Sequence, residues 1–297
     1  MKSFTAWLIR RALPVAAATA LGVSLVAIPQ AASAVEKSGL NVGHLNIKWD
    51  LSREAFLADL NLITSRAGMV GLNEVREKRA VLENWAERNG WHLYAPDPAA
   101  ASSEALLAKK SVYSVISRNS TFVCDINPGE LPVPKYLNWV RYQHKASGRS
   151  IYHINLHAVS GIDNAGHPRD LPRTKCAEKH FRMVRDLAAD KSRYGQVVVT
   201  GDLNVDYVND RQVRYQNFPF VVLDERDRAD AIPGLRSSYS LHGVKGTGTH
   251  GTRHIDYAYF WKRQPERRRL WMIDYAIVGG TNSDHNGIVA KFSIQHL

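Results

Sequence analysis

The sequence predicts an α/β (α+β) fold: two packed mixed β-sheets with helices on their outer faces. Three observations carry that prediction. Strand-like runs outnumber helical ones, hairpin turns occur beside helix-length crossovers, and the residues of chemical interest recur at strand ends. Hairpins and crossovers in one chain exclude a purely parallel sheet.

Leu40 to Ile47 alternates as a strand. Ser52 to Arg66 has helical apolar spacing through Phe56, Leu60 and Ile63, and Gly68 is the expected stop. Met69 to Leu72 is a short apolar strand ending at Asn73-Glu74. Arg79 to Arg88 is helical and stops at Asn89-Gly90. Trp91 to Tyr94 and Ser111 to Ser117 predict strands, with a Pro/Ala/Ser loop at Pro96 to Glu104. Asn138 to Gln143 and Arg149 to His157 form a hairpin through Ala146-Ser147-Gly148. Ser160 to Pro172 is a loop. Thr174 to Ala189 is an amphipathic helix with Phe181, Val184, Leu187 and Ala188 on one face. Strands recur around Val197, Phe220, Ile255, Ile273 and Ile288, without internal repeats.

Lys2, Arg10 and Arg11 precede an apolar run from Ala12 to Ile28 and the small-residue triplet Ala32-Ser33-Ala34. This pattern predicts a secretory signal peptide over 1–34, cleaved after Ala34, then a linker over 35–39 and one catalytic domain over 40–297. No later segment has the length and apolarity of a membrane span. Removing three cations and no acids takes the formal charge from +11 to +8. A basic secreted chain expects a polyanion: nucleic acid, an anionic lipid surface or a cell-wall polymer. Cys124 and Cys176 are the two cysteines, and outside the cytosol an even pair predicts a disulfide. Its long loop is worth about 4 kcal/mol in chain-entropy terms.

The most informative motif is Gly201-Asp202-Leu203-Asn204, which follows Val197-Val198-Val199-Thr200. A buried strand thus delivers a carboxylate and an amide to its C-terminal end. Asn46 and Glu74 close the first two strands. His157 ends the hairpin in Asn155-Leu156-His157-Ala158, Asp256 follows His254-Ile255, and Asp284-His285 precedes the last strand. Acids, amides and imidazoles at strand ends are what metal-assisted phosphoester hydrolysis needs. Singly, each is ordinary. Glu74 alone is a solvated carboxylate, His157 a sheet-edge histidine, Asn204 a turn former and Asp256 a loop cap. The ordered set carries the chemistry.

In that order, over essentially all of Leu40 to Gln295, the residues resemble the endonuclease/exonuclease/phosphatase superfamily, with its deoxyribonuclease I-like fold, in a secreted bacterial-type form. The resemblance implies a four-layer sandwich and attack of water on a phosphodiester or phosphomonoester. It also implies a divalent metal, usually magnesium, with manganese or calcium as alternatives. It matches Asn46 and Glu74 to the family's metal ligands, with Asp284 near the metal. His157 matches the histidine at the phosphate and leaving oxygen. Asp202 and Asn204 match the pair that orients nucleophile and oxyanion, and Asp256 with His285 the aspartate–histidine couple. Tyr113 and Arg141 match substrate contacts more loosely. Lys48 stands where abasic-site repair members carry an aspartate and deoxyribonuclease I-like members a base. Leu203 replaces a common Phe, and Ala158 follows His157 as in the secreted nuclease branch.

Elementary chemistry points the same way. A hard cation held by Glu74 and the neutral oxygen of Asn46 offsets charge building on a phosphate. Asp256 can hold His285 in one tautomer, and which of His157 and His285 is acid or base stays open. Arg76, in Arg76-Glu77-Lys78-Arg79, is a further substrate contact at the expected rim. Trp261, Lys262, Arg263 and Arg267 to Arg269 form either a phosphate contact or a solvated loop. His153 is expected to be structural. His167, His180 and His242 are expected at the surface, and Asp274 is set aside as a decoy facing solvent.

The leading expectation is a secreted, metal-dependent, sequence-nonspecific nuclease acting on DNA, a monomer without a membrane anchor. The alternative is a phosphatase or phospholipase C-type esterase acting on inositol phosphate or sphingomyelin. A membrane-acting esterase should expose an aromatic hairpin, and Tyr136, Trp139 and Tyr142 look instead like alternating strand positions. A third class, a non-catalytic binding module, fits poorly with an intact constellation.

Overall fold

The computed structural model describes residues 38–126, 134–163, 172–224, 234–262 and 270–294. The expected signal peptide, His167 and the arginines at 263 and 267–269 lie outside the described residues. The strands are β1 (Ser38–Asn46), β2 (Met69–Asn73), β3 (Trp91–Tyr94), β4 (Ala105–Lys109), β5 (Tyr113–Asp125), β6 (Pro134–His144), β7 (Arg149–His157), β8 (Gln196–Asp202), β9 (Leu235–Ser237), β10 (Asp256–Trp261), β11 (Leu270–Val278) and β12 (Gly287–Ile294). The helices are α1 (Arg53–Thr64), α2 (Arg79–Arg88), α3 (Pro172–Lys191), α4 (Tyr207–Val213) and α5 (Ser238–His242). The strands form two six-stranded sheets, ordered β11-β12-β1-β2-β4-β3 and β5-β6-β7-β8-β10-β9. Each is mixed, with one parallel pair at its centre: β1 with β2, and β7 with β8.

The parallel pairs explain where the polar strand ends meet. Asn46 is level with Asn73 in one sheet, and His157 with Asp202 in the other. β10 runs antiparallel to β8 and starts at Asp256, opposite Asp202. One rim of the sandwich therefore collects the carboxyl ends of both parallel pairs. This is where open α/β sheets bind ligands.

Several elements depart from expectation. α1 is capped by Ser52, whose hydroxyl accepts the Ala55 amide, but it ends at Ser65 rather than Gly68. The Gly68 amide instead bonds the Asn41 carbonyl of β1. β4 was not expected, because its Ala-Leu-Leu-Ala run has little intrinsic strand preference. It pairs with β2 and β3 on either side, and that tertiary pairing overrides propensity. The run around Phe220 is a π-helical turn, Phe220–Asp224, not a strand. Its amide end is held by the Asp210 carboxylate, which accepts the Phe220 N–H at 2.8 Å. His180 is fully buried in α3 rather than exposed. Among the described residues, no helix is long and apolar enough to cross a membrane.

Phe56, Leu60 and Ile63 of α1 and Leu82 and Ala86 of α2 pack with Leu45, Val70, Leu72 and Leu107 of the first sheet. Phe181, Val184 and Ala188 of α3 join the cluster that includes Ile154, Leu156, Val197 and Val199 of the second. Each of the larger side chains contributes about 1.5–3 kcal/mol by leaving water. Between the sheets the seam is polar toward the site. Asn155 of β7 donates to the carbonyls of Leu72 and Ala105 in the opposite sheet, at 2.9 and 3.1 Å. His153 bonds Thr200, which in turn donates to Asn155. The backbone of β2 comes so close here that position 71 must be glycine. A Cβ would overlap Thr200 Oγ1 and lie 2.5 Å from Asn155 Oδ1. Cys124 at the end of β5 and Cys176 in α3 form a disulfide with their Cα atoms 5.7 Å apart.

Two predictions test this packing. Gly71→Ala should cost about 1–3 kcal/mol in a denaturant melt, by forcing the sheets apart. His180 is held down to about 3 by burial, with Lys135 adding to the effect. The unfolded chain takes up that proton near the ordinary histidine value of about 6.5. Stability gained by keeping the ring neutral is therefore complete above that pH and is lost as pH falls below it. His180→Leu should shrink the fall in Tm between about pH 7.5 and 5.5, and a fall equal to wild type would refute this.

Candidate active site

The rim brings together Asn46, Glu74, His157, Asp202, Asn204, Asp256 and His285. The Asn46 amide nitrogen donates to Glu74 Oε1 and to Asp202 Oδ2, each at 3.0 Å. Asp202 Oδ2 also lies 3.6 Å from His157 Nε2 and 3.8 Å from His285 Nε2. His157 Nε2 is 3.9 Å from Glu74 Oε1. One carboxylate oxygen of β8 thus sits among two imidazoles and an amide. The other oxygen, Oδ1, accepts the Asn204 N–H at 2.8 Å, closing the turn of the Asp-Leu-Asn motif. Asn204 takes left-handed backbone (φ 54) and donates its amide to the Ala158 carbonyl. Here its turn-forming role and its placement at the site coincide.

The two histidines sit in opposite electrostatic surroundings. His285 Nδ1 is 2.8 Å from Asp256 Oδ2. Burial alone would lower its pKa, but the facing Asp256 carboxylate, with Asp202 and Asp284, pushes it up to about 10. Asp256, although buried, is held below the ordinary carboxylate range by His285 and His44. His157 is held well below the ordinary histidine value, first by burial, then by the Lys135 and His285 cations. Asp202 is raised to about 7, mainly by burial and then by the charge of Asp256.

The donor set fits a divalent cation. Asn46 Oδ1 is buried with no hydrogen-bond partner, a neutral oxygen left free beside two carboxylates. Glu74 keeps an exposed edge and holds a left-handed backbone (φ 62) that is costly for a glutamate. Among the described residues, Asp202, Asp256 and His285 also offer ligand atoms within 4.8 Å of one another. Both oxygens of Asp256 already serve imidazoles, however. Glu74, with its exposed edge, and Asn46 Oδ1 are the better oxygen donors for a hard ion, and Asp202 Oδ2 lies 3.0 Å from the Asn46 amide nitrogen. Asp284 is exposed next to this group, its Oδ1 3.4 Å from Ser283 Oγ.

Two expected substrate contacts are corrected. Tyr113 is buried, its ring near Gly68 at the start of β2. The five residues of β2 separate Gly68 from Glu74, a span of about 20 Å. Arg141 stacks on Tyr152 and donates to Ser150 at the start of β7, the end remote from His157. Both were expected only through the looser part of the family resemblance, and their strand partners, His144 for Tyr113 and Tyr152 for Arg141, lie away from the His157 end. Lys48 and Arg76 do lie at the rim. The Lys48 amide donates to Ser283 Oγ, and Arg76 lines a cavity with Glu74 and His157.

That cavity, of about 480 Å³, is also lined by Trp49, Glu104, Pro134 and Lys135. Lys135 and Glu104 were not foreseen. Burial lowers the pKa of the first and raises that of the second to about 8. Other residues missed from sequence hold the site in place. The Asn73 side chain accepts the Asp202 amide. Asp59 of α1 accepts the backbone amides of Asn282 and Ser283. Thr249 accepts those of Ile255 and Asp256. His250 places its ring 4.7 Å from that of His285. His44 bonds Asp256, and its place two residues before Asn46, on the same strand face, was the available signal.

No family description and no curated sequence matches the chain. Solved structures do. An endonuclease/exonuclease/phosphatase family protein from Bacteroides thetaiotaomicron aligns at TM-score 0.61 and 14% identity, covering 86% of this chain and 95% of that one. TDP2 of D. rerio, complexed with single-strand DNA product, aligns at 0.61 and 15%, covering 86% and 99%. A mannosyl-6-phosphatase of B. thetaiotaomicron aligns at 0.59 and 15%, covering 85% and 99%. At these identities the likeness establishes the fold.

The two corrected residues give a direct check. Arg141→Ala and Tyr113→Phe should leave kcat/KM on any turned-over phosphoester within about twofold, because neither reaches the rim. A loss of an order of magnitude would restore them as substrate contacts.

Proposed function

We propose that this chain, which has the fold of the endonuclease/exonuclease/phosphatase proteins, is a divalent-metal-dependent phosphoesterase and, more finely, a secreted nuclease acting on DNA. The observation that carries the reading is the convergence of His157, His285 and Asn46 on Asp202 Oδ2, with Asn46 Oδ1 free. Asn46, Glu74 and Asp202, with Asp284 beside them, would hold the ion. A bound magnesium, manganese or calcium ion supplies Lewis acidity and neutralises charge on the phosphoryl oxygens. A phosphoryl group at the rim meets two imidazoles, His157 and His285, one to take a proton from water and the other to give one to the leaving oxygen. Asp202 can align the attacking water, and Asn204 can donate toward the oxyanion. Lys48 and Arg76 supply cations for the remaining substrate charge, and Lys135 lines the same cavity as Arg76.

DNA as substrate is supported by the formal +8 of the chain beyond the signal-like segment and by the nucleic-acid complex of one structural neighbour. Export is supported by that segment and agrees with the disulfide. A second reading, a small phosphate ester, rests on two observations. The cavity beside His157 has a volume of about 480 Å³, and the rim cations Lys48 and Arg76 are each paired with a neighbouring acid. The phosphatase among the structural neighbours agrees with it.

The deciding experiment is a substrate panel of plasmid DNA, inositol phosphates and sphingomyelin with magnesium, manganese or calcium. Nicking of DNA that a chelator stops is the expected result. His157→Ala should lower kcat by roughly 100-fold or more, and Glu74→Gln should raise the metal concentration required. Intact DNA beside a cleaved small ester would move the chain to the second reading. No turnover on any phosphoester would end both.

A further inference from the structure

We propose that His44 is a positioning residue of the acid–imidazole couple, pinning the second oxygen of Asp256 and so fixing where His285 presents its outer ring nitrogen. The inference rests on the phosphoesterase reading for its consequence, but not for its geometry. Asp256 belongs to the second sheet and is fully buried. Two rings from the other half of the sandwich grip it: His44 Nε2 of β1 at 3.0 Å from Oδ1, and His285 Nδ1 at 2.8 Å from Oδ2. A carboxylate held at one oxygen can swing about its side-chain torsion, and one held at both cannot.

Nε2 is the His44 nitrogen that faces the Asp256 carboxylate, and the other ring nitrogen, Nδ1, points away from it. That atom is buried and has no partner. An orphaned buried polar atom is destabilising. A residue chosen only to fill β1 would be apolar, like Val42 and Leu45 beside it, both fully buried. The cost is accounted for if the Nε2 bond fixes a group whose orientation matters. Thr249, accepting the Asp256 amide at 3.0 Å, holds the backbone of the same residue. Main chain and both carboxylate oxygens are thereby immobilised, and of the two rings on Asp256 it is His285 whose outer nitrogen faces Asp202, 3.8 Å from Oδ2.

The test compares His44→Leu, which removes the donor, with His44→Gln, whose amide can place an N–H near the lost Nε2. Two readouts are taken: steady-state kinetics on whichever phosphoester the wild type turns over, and the downfield proton resonance of His285 Nδ1–H, assigned by its loss in His285→Ala. His44→Leu should lower kcat roughly 10- to 100-fold, as outer partners of functional groups do, with KM changed less than about twofold. The His285 resonance should move upfield or broaden, and His44→Gln should restore both. Wild-type kcat with an unmoved resonance in His44→Leu overturns the inference. So does a loss that follows Tm alone and is not rescued by glutamine. If the wild type turns over no phosphoester, the functional reading fails, and the resonance still decides whether His44 governs His285. Should His44→Leu not fold, His44→Asn, whose amide falls short of Asp256, takes its place with the same outcomes.

Discussion

The separation of the two sheets along β2, β7 and β8 governs everything at the rim. Half of the site is rooted in one sheet (Asn46, Glu74 and the loop carrying His285), and half in the other (His157, Asp202, Asn204 and Asp256). Hydrogen-bond lengths across the gap are only as good as the spacing beneath them. Gly71 permits the close approach, and Asn155 fastens it by donating to two carbonyls of the opposite sheet. A polar seam of this kind specifies one registry of the sheets, whereas an apolar one would tolerate sliding.

Burial then sorts the ionisable groups. Two carboxylates placed this deep cannot both be freely charged, and they settle differently. Asp256, gripped by two imidazoles, stays anionic, while Asp202 is driven toward neutrality. The same field makes His285 a cation and keeps His157 neutral. Environments that push like groups apart allow one fold to offer both a proton donor and a proton acceptor near neutrality. Chemical identity alone cannot make that distinction, since both residues are histidines at strand ends.

Much of this was legible in the sequence, for particular reasons. Asp202, Asn204, His157 and Asp256 lie within a residue or two of strand ends that strong β-branched or alternating runs announce. β4 was illegible because alanine and leucine hide a strand that only its neighbours enforce, and Phe220 because an apolar run does not declare its backbone. Tyr113 and Arg141 are misplaced because a loose family resemblance matches residue types without fixing which end of a long strand carries them. Asp59, Asn73 and Thr249 act by satisfying backbone amides from distant segments, and that service leaves no local trace. His180 was read as exposed because a histidine among charged helix residues carries no mark of the face it occupies.

Glu74 adopts a left-handed backbone that a glycine or asparagine would accept more readily. The fold therefore carries a standing debt of about 1–3 kcal/mol at the position where an outward carboxylate is wanted. Replacing Glu74 by glycine would relieve that strain and at the same time remove the carboxylate from the rim. At this one dihedral angle the backbone favours a residue other than the one the rim carries.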